Sequence, residues 1–163
     1  MTQEIAGSMM LLLMVLALGA AWWGWRNRAR RYEPLAGALT LHEPTEAPSY
    51  QTRALYVATT EGGDPIQRVP LGPLAFRSSC LLGLYPEGLG VSIPGQPPLL
   101  IPRGAGLQAG LATWTIDRVV EPDGLLMVRW RLGETLVDSY FRVVDGDASR
   151  IIDDLNTATK GVS

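Results

Sequence analysis

Few residues in this chain have the type and spacing to do chemistry. Gly104-Ala105-Gly106-Leu107-Gln108-Ala109-Gly110 comes near the GxGxxG turn that lets a backbone approach a pyrophosphate at a helix N-terminus. Its third glycine falls one residue late, and Trp114–Val120 then reads as a strand where the motif must open a helix. The stretch is therefore read as a loop. Ser78, Ser79 and Cys80 are nucleophiles by type, but a nucleophile needs a base within reach. The one histidine, His42, stands beside Glu43 in a proline-rich stretch, without the co-ligands a metal would need. Cys80, the single cysteine, reads as a small apolar residue at the start of a strand.

The paired acids Asp145/Asp147 and Asp153/Asp154 lack further oxygen ligands at loop spacing. They suit the first turns of a terminal helix, where acids favour the dipole. GxxxxGK[ST], GxSxG and HExxH are absent from the sequence. Arg129 and Arg131 remain as a cationic pair on one strand, facing a partner's carboxylates, anionic headgroups or solvent. The expectation is a non-enzymatic protein with no catalytic, cofactor or metal residues, and Arg129 and Arg131 as its partner contact.

The elements that would position these groups are short strands punctuated by glycine and proline. Leu55–Thr60 ends at Glu61-Gly62-Gly63-Asp64-Pro65, and Leu71–Phe76 is a weaker strand broken by Gly72 and Pro73. Cys80–Tyr85, Leu89–Ile93 and Leu99–Pro102 follow, then the glycine-rich connection Gly104–Gly110 and the strand Trp114–Val120. Leu125–Leu132 follows the turn Glu121-Pro122-Asp123-Gly124, and Gly133-Glu134 joins it to Thr135–Val144, a two-residue hairpin led by glycine. Val128, Trp130 and Leu132 alternate with Arg129 and Arg131. Val137, Phe141 and Val143 alternate with Asp138, Tyr140 and Arg142, so each strand is expected to have one wet face. A helix closes the chain: Asp147 is its N-cap, and Ala148, Ile151, Ile152, Leu155 and Ala158 form its apolar stripe. Lys160 sits in its last turn and Gly161 is its stop. This order predicts a mainly β domain, a small barrel or sandwich capped by one C-terminal helix.

Ahead of the strands stands Ile5–Trp25, 21 residues without a charge, roughly 30 Å long as a helix. Trp22, Trp23 and Trp25 sit at its end as interface residues, and Arg26, Arg28, Arg30 and Arg31 follow. A cleavable signal would need a positive start and small residues where the tryptophans stand. The stretch reads instead as a single membrane span, residues 1–31 including the basic flank. Positive flanks stay cytoplasmic, so the N-terminus is expected outside and the C-terminal domain inside. Residues 32–49, with Pro34, Pro44 and Pro48, read as a linker, and residues 50–163 as the domain.

Residues 1–31 carry four arginines and one glutamate, whereas residues 32–163 carry ten bases and fifteen acids. An acidic domain on a basic stem is the wrong charge pattern for a nucleic-acid binder. The stem suits anionic lipid, at ~1 kcal/mol per arginine near the surface. The partners expected are the bilayer, through the helix, and a protein.

Certain phrases together resemble a known family: RNRARR after the span, VPLGPLAFRSSCLLGLYPEGLGVSIPG, PLLIP, VVEPDGLLMVRWRL, and FRV before the closing helix. They are similar to single-pass membrane proteins of high-GC Gram-positive bacteria that carry a bacterial pleckstrin-homology (PH)-like domain. The resemblance implies a seven-stranded barrel of two sheets with a helical cap. Headgroup-reading members of the wider family carry cations in the loop after the first strand. Here that loop is acidic up to Arg68, so headgroup reading is not expected. Two readings follow: a module that docks a protein at the membrane's inner face, or a small-molecule or lipid-binding accessory of a transport system with an apolar cavity.

Overall fold

The computed structural model describes residues 2–160 except His42, Thr113, Ile116, Asp117 and residues 120–123; side chains are described for residues 7–27, Tyr32, 34–41, 43–112 and 124–157. His42, the Glu121-Pro122-Asp123 turn and the Gly161 stop thus lie outside the described residues, as do the side chains of Arg28, Arg30, Arg31, Ala158 and Lys160. The chain divides into two compact units, Met1–Pro34 and Leu35–Ser163.

The first unit is helical. Helix α1 (Thr2–Ala36) contains the apolar window Gly7–Asn27, 21 residues of mean hydropathy 1.7, long and apolar enough to cross a membrane. The side chains of that window are exposed on every side; Leu11 is 64% accessible and Trp23 73%. The helix continues through the basic cluster to Ala36 and contains Pro34, so the first residues of the expected linker are helical. Pro34 removes a backbone donor and crowds the carbonyl four residues back, and the helix ends two residues later.

The described residues of the second unit form ten strands and a helix: β1 (Tyr50–Glu61), β2 (Asp64–Arg68), β3 (Ser78–Tyr85), β4 (Gly88–Ser92), β5 (Leu99–Pro102), β6 (Gln108–Ala112), β7 (Trp114–Thr115), β8 (Arg118–Val119), β9 (Leu125–Leu132), β10 (Thr135–Val143) and α2 (Ala148–Lys160). The main sheet runs β5-β4-β3-β1-β10-β9-β6, with β2 added to β1, while β7 and β8 pair with each other. Every pairing is antiparallel. The sheet is not closed, so the expected barrel is an open sheet capped by α2. The expected strand Leu71–Phe76 is a 3-10 turn over Gly72–Leu74, because Pro73 has no N–H to give a ladder. The expected strand Trp114–Val120 appears as the short β7 and β8, with residues not described between them.

One face of the sheet forms the core, with Leu82, Leu84, Leu89, Val91, Leu99, Ile101, Val128, Leu132 and Val137 buried. Ile151 and Leu155 of α2 join it, each 1% exposed, while Ile152 is half-buried. Asp147 caps α2 through its Oδ1, which accepts from the Ser149 amide at 2.8 Å. Gly133 holds φ +59 in the β9–β10 hairpin, the conformation its turn requires.

A bulge in β1 reorganises this core. The register steps between Tyr56 and Ala58, so Tyr56 faces Phe141 and Thr59 faces Ser139 on the same side. Three residues apart, Tyr56 and Thr59 would otherwise lie on opposite faces. Instead the Tyr56 hydroxyl lies 3.0 Å from Thr59 Oγ1 and 2.9 Å from the Leu74 carbonyl oxygen. Thr59 Oγ1 lies 2.8 Å from Ser139 Oγ, which accepts from Trp130 Nε1 at 3.0 Å. An indole N–H only donates and a carbonyl only accepts, so one proton order satisfies every group. It runs from Trp130 to Ser139, Thr59, Tyr56 and finally Leu74. Burial pushes the Tyr56 phenol from 10.0 up to about 12, which keeps it neutral.

The opposite face of β9 and β10 is not wet throughout. Val57, Ala58, Leu125 and Tyr140 form a second buried cluster with Ala112 and Met127 against it. Asp138 is only 2% exposed. The alternation in sequence is real, but the side chains on this face also cover one another.

Candidate interaction surface

Among the described residues, a concavity lies on the face of β1, β3 and β4 turned away from the core. The strand registers set Arg53, Leu81 and Ser92 in one row across it. Val144 continues the row, its amide donating to the Arg53 carbonyl at 2.9 Å. With Ala54, Ser79, Cys80 and Pro94 these residues line a groove of about 490 Å³. Leu81 is 40% exposed and Val144 62%, so the floor is apolar and accessible. Arg53 pairs with Asp145 at the rim, and Thr52 Oγ1 donates to the Asp145 carbonyl at 2.7 Å. Gly146 lies so near Tyr50 and Thr52 that a Cβ there would collide with both side-chain oxygens, so the turn is pressed onto β1. Cys80 contributes no reactive thiolate: burial pushes its thiol from 9.0 up to about 11.

The free edges of the sheet are partly taken by the chain itself. At β5, the Leu100 amide donates to the Thr40 carbonyl at 2.9 Å, and Leu39 is buried. At β6, Asn156 of α2 accepts from the Ala109 amide at 3.0 Å and donates to the Ala109 carbonyl at 2.9 Å. A side-chain amide there makes the two bonds a neighbouring strand's peptide would make.

A family model for bacterial PH domain-like proteins matches residues 38–156. The chain belongs to this family. No curated protein matches it significantly.

The PH-like domain sorts the remaining expected residues. Arg129 donates from Nε to Asp138 Oδ1 at 2.7 Å and from Nη2 to Oδ2 at 2.8 Å. This bidentate pair raises the guanidinium's pKa through the hydrogen bond, and Asp138 Oδ2 also accepts from the Gly63 amide at 3.3 Å. Arg131 is exposed, so the two arginines are not equivalent: one is committed to the sheet and the other faces solvent. The turn after β1 is tied down by Gly63 and by the Gly62 amide, which donates to Leu136 O at 2.7 Å. Arg68, the first cation of that connection, donates from Nη2 back to the Val57 carbonyl at 3.2 Å.

Asp154 is held by Arg103, whose Nη2 lies 2.6 Å from Oδ2 and whose Nε donates to the Pro86 carbonyl at 3.0 Å. Arg103 thereby clamps the β3–β4 turn to α2, a role with no signal in the sequence. The glycine run is a 3-10 turn over Arg103–Ala105, followed by Gly106 at φ +68 and then β6. A phosphate-binding turn would open a helix there. Among the described residues, no three His, Cys, Asp or Glu side chains come together to hold a metal. In the first unit, Trp22, Trp23 and Trp25 are exposed and the Arg26 guanidinium lies 5.5 Å from the Trp22 ring centroid.

The groove residues Arg53, Leu81 and Val144 were not foreseen as a set. Val144 ends the expected last strand, and only the registers of β1, β3, β4 and β10 bring the three together.

Proposed function

We propose that this protein is a membrane-anchored, non-enzymatic docking module. In this reading α1 crosses the bilayer with its N-terminus outside. The PH-like domain works at the cytoplasmic face, where it holds a protein partner. Trp22, Trp23, Trp25 and the basic flank from Arg26 to Arg31 lie at the interface. The observation that carries the reading is the exposed apolar groove of about 490 Å³ along Leu81 and Val144, supplied by several strands and rimmed by the Arg53–Asp145 pair. Protein interfaces combine such an apolar centre with a charged rim.

The alternative, a small-molecule or lipid-binding accessory of a transport system, called for an apolar cavity inside the fold. The interior face is occupied by Tyr56 and Phe141, whose ring centroids lie 5.7 Å apart, and by Trp130. That favours docking on the outside.

A photo-reactive residue at position 81, in the full chain in its native membrane, tests this. The expected result is a discrete protein adduct that is missing when the same residue replaces exposed Glu134. Adducts with lipid alone would defeat the docking reading. A reporter fused after Ser163 tests orientation, and activity confined to the exported side would overturn it.

A further inference from the structure

We propose that the groove on β1, β3 and β4 takes an acidic–apolar segment of its partner protein; this rests on the docking reading above. The argument is charge complementarity. Leu55 pairs with Arg142 in the register, and the next position outward pairs Arg53 with Val144. Arg53 and Arg142 are therefore diagonal neighbours on one face, roughly 7–8 Å apart. Both are exposed, Arg53 to 73% of its side chain. Asp145 pairs with Arg53, and among the described residues no carboxylate pairs with Arg142.

The patch thus carries a surplus positive charge on a domain whose residues 32–163 hold fifteen acids against ten bases. A local reversal of sign beside an apolar floor selects a ligand with the opposite pattern. An apolar side chain of the partner lies against Leu81, Val144 and Pro94, and a neighbouring carboxylate meets Arg142. An acidic segment is also repelled by the rest of this acidic domain, so its approach is confined to this face.

The test uses the full chain in phosphatidylcholine nanodiscs and a labelled peptide, acetyl-Glu-Glu-Leu-Phe-Glu-Glu-amide, read by fluorescence anisotropy. Saturable, salt-sensitive binding is expected. It should fall by about tenfold or more with Arg142→Glu, with Leu81→Asp, and when every Glu of the peptide is replaced by Gln. Both positions are exposed, and unchanged urea unfolding of the variants would confirm an intact fold. Equal binding of the Gln peptide, or no saturable binding of the acidic one, overturns the proposal. So does displacement of the peptide by phosphatidylglycerol vesicles, which would make a headgroup the occupant. If the adduct at position 81 forms but ignores Arg142→Glu, the docking reading stands and this inference fails. If no protein adduct forms at all, the docking reading itself fails.

Discussion

Cutting the buried hydrogen-bond chain at several points should cost far less than the sum of the single cuts. Tyr56, Thr59, Ser139 and Trp130 are at most 2% exposed, so a stranded donor or acceptor has no water to turn to. Each such group costs about 2 kcal/mol, the middle of the usual range. Thr59→Val strands one donor, the Ser139 hydroxyl. Ser139→Ala strands one, the Trp130 N–H. Tyr56→Phe strands two groups, the Thr59 hydroxyl and the Leu74 carbonyl. The three single variants should therefore lose about 2, 2 and 4 kcal/mol, a sum of about 8. The triple variant removes the whole interior of the chain and strands only its two ends, so about 4 kcal/mol is expected. The substitutions are close to isosteric, which keeps cavity terms small. Urea unfolding followed by tryptophan fluorescence measures all four. Additive losses would show that the hydroxyls act independently and refute the proton order; a neutral Tyr56→Phe would refute it as directly.

Three further outcomes follow from the same geometry. Arg129→Ala should cost about 2–3 kcal/mol in urea unfolding, because it leaves Asp138 buried without its cation. The figure is discounted from a fully buried pair since the arginine is a third exposed, and Arg129→Ala with Asp138→Ala should be milder than Arg129→Ala alone. Stability should fall in alkali: the folded state holds the Cys80 proton up to about 11 and the Tyr56 proton up to about 12, while the unfolded chain releases them from 9.0 and 10.0, so stability is full below pH 9.0 and lost through these windows. Thermal melts against pH should therefore show Cys80→Ala delaying the onset of the decline. Residues 32–163 alone should barely sediment with anionic vesicles, given their fifteen acids and ten bases; adding residues 26–31 should bring weak binding that salt removes, and tight, salt-resistant binding by residues 32–163 would point to headgroup recognition.

What could be read from sequence was whatever repeats at a fixed period. LLMVRWRL gave β9 to the residue, because Val128, Trp130 and Leu132 recur every second position. The apolar N-terminal helix was legible from a run without charge, and the terminal helix from apolar spacing of three and four. What was not legible depends on breaks in period and on pairing. The bulge after Tyr56 inverts the sidedness of the rest of β1, so Thr59 turns inward and meets Ser139, and no local pattern announces it. Asp138 reads as a solvent residue by alternation and type, and only its pairing across to Arg129 makes its burial tolerable. The groove is less legible still, since Arg53, Leu81, Ser92 and Val144 belong to four separate stretches that only the registers align.

The placement of the candidate surface on a sheet face follows from what happens at the edges. A domain that recruits partners by adding a strand must keep an edge free, with its N–H and C=O groups unpaired. Here Leu100 on β5 already gives its amide to Thr40, and Ala109 on β6 gives both backbone groups to Asn156. A strand arriving at either place must first displace part of the chain and replace bonds of equal kind, so it gains nothing from the backbone and pays the ordering entropy of its own segment. The face along Leu81 and Val144 carries no such debt, because those side chains are already exposed and burying them is favourable at ~25 cal/mol per Å². The occupied places on β5 and β6 and the open face therefore favour the proposed association through side chains, with Arg142 the cation left to select the charge of what binds.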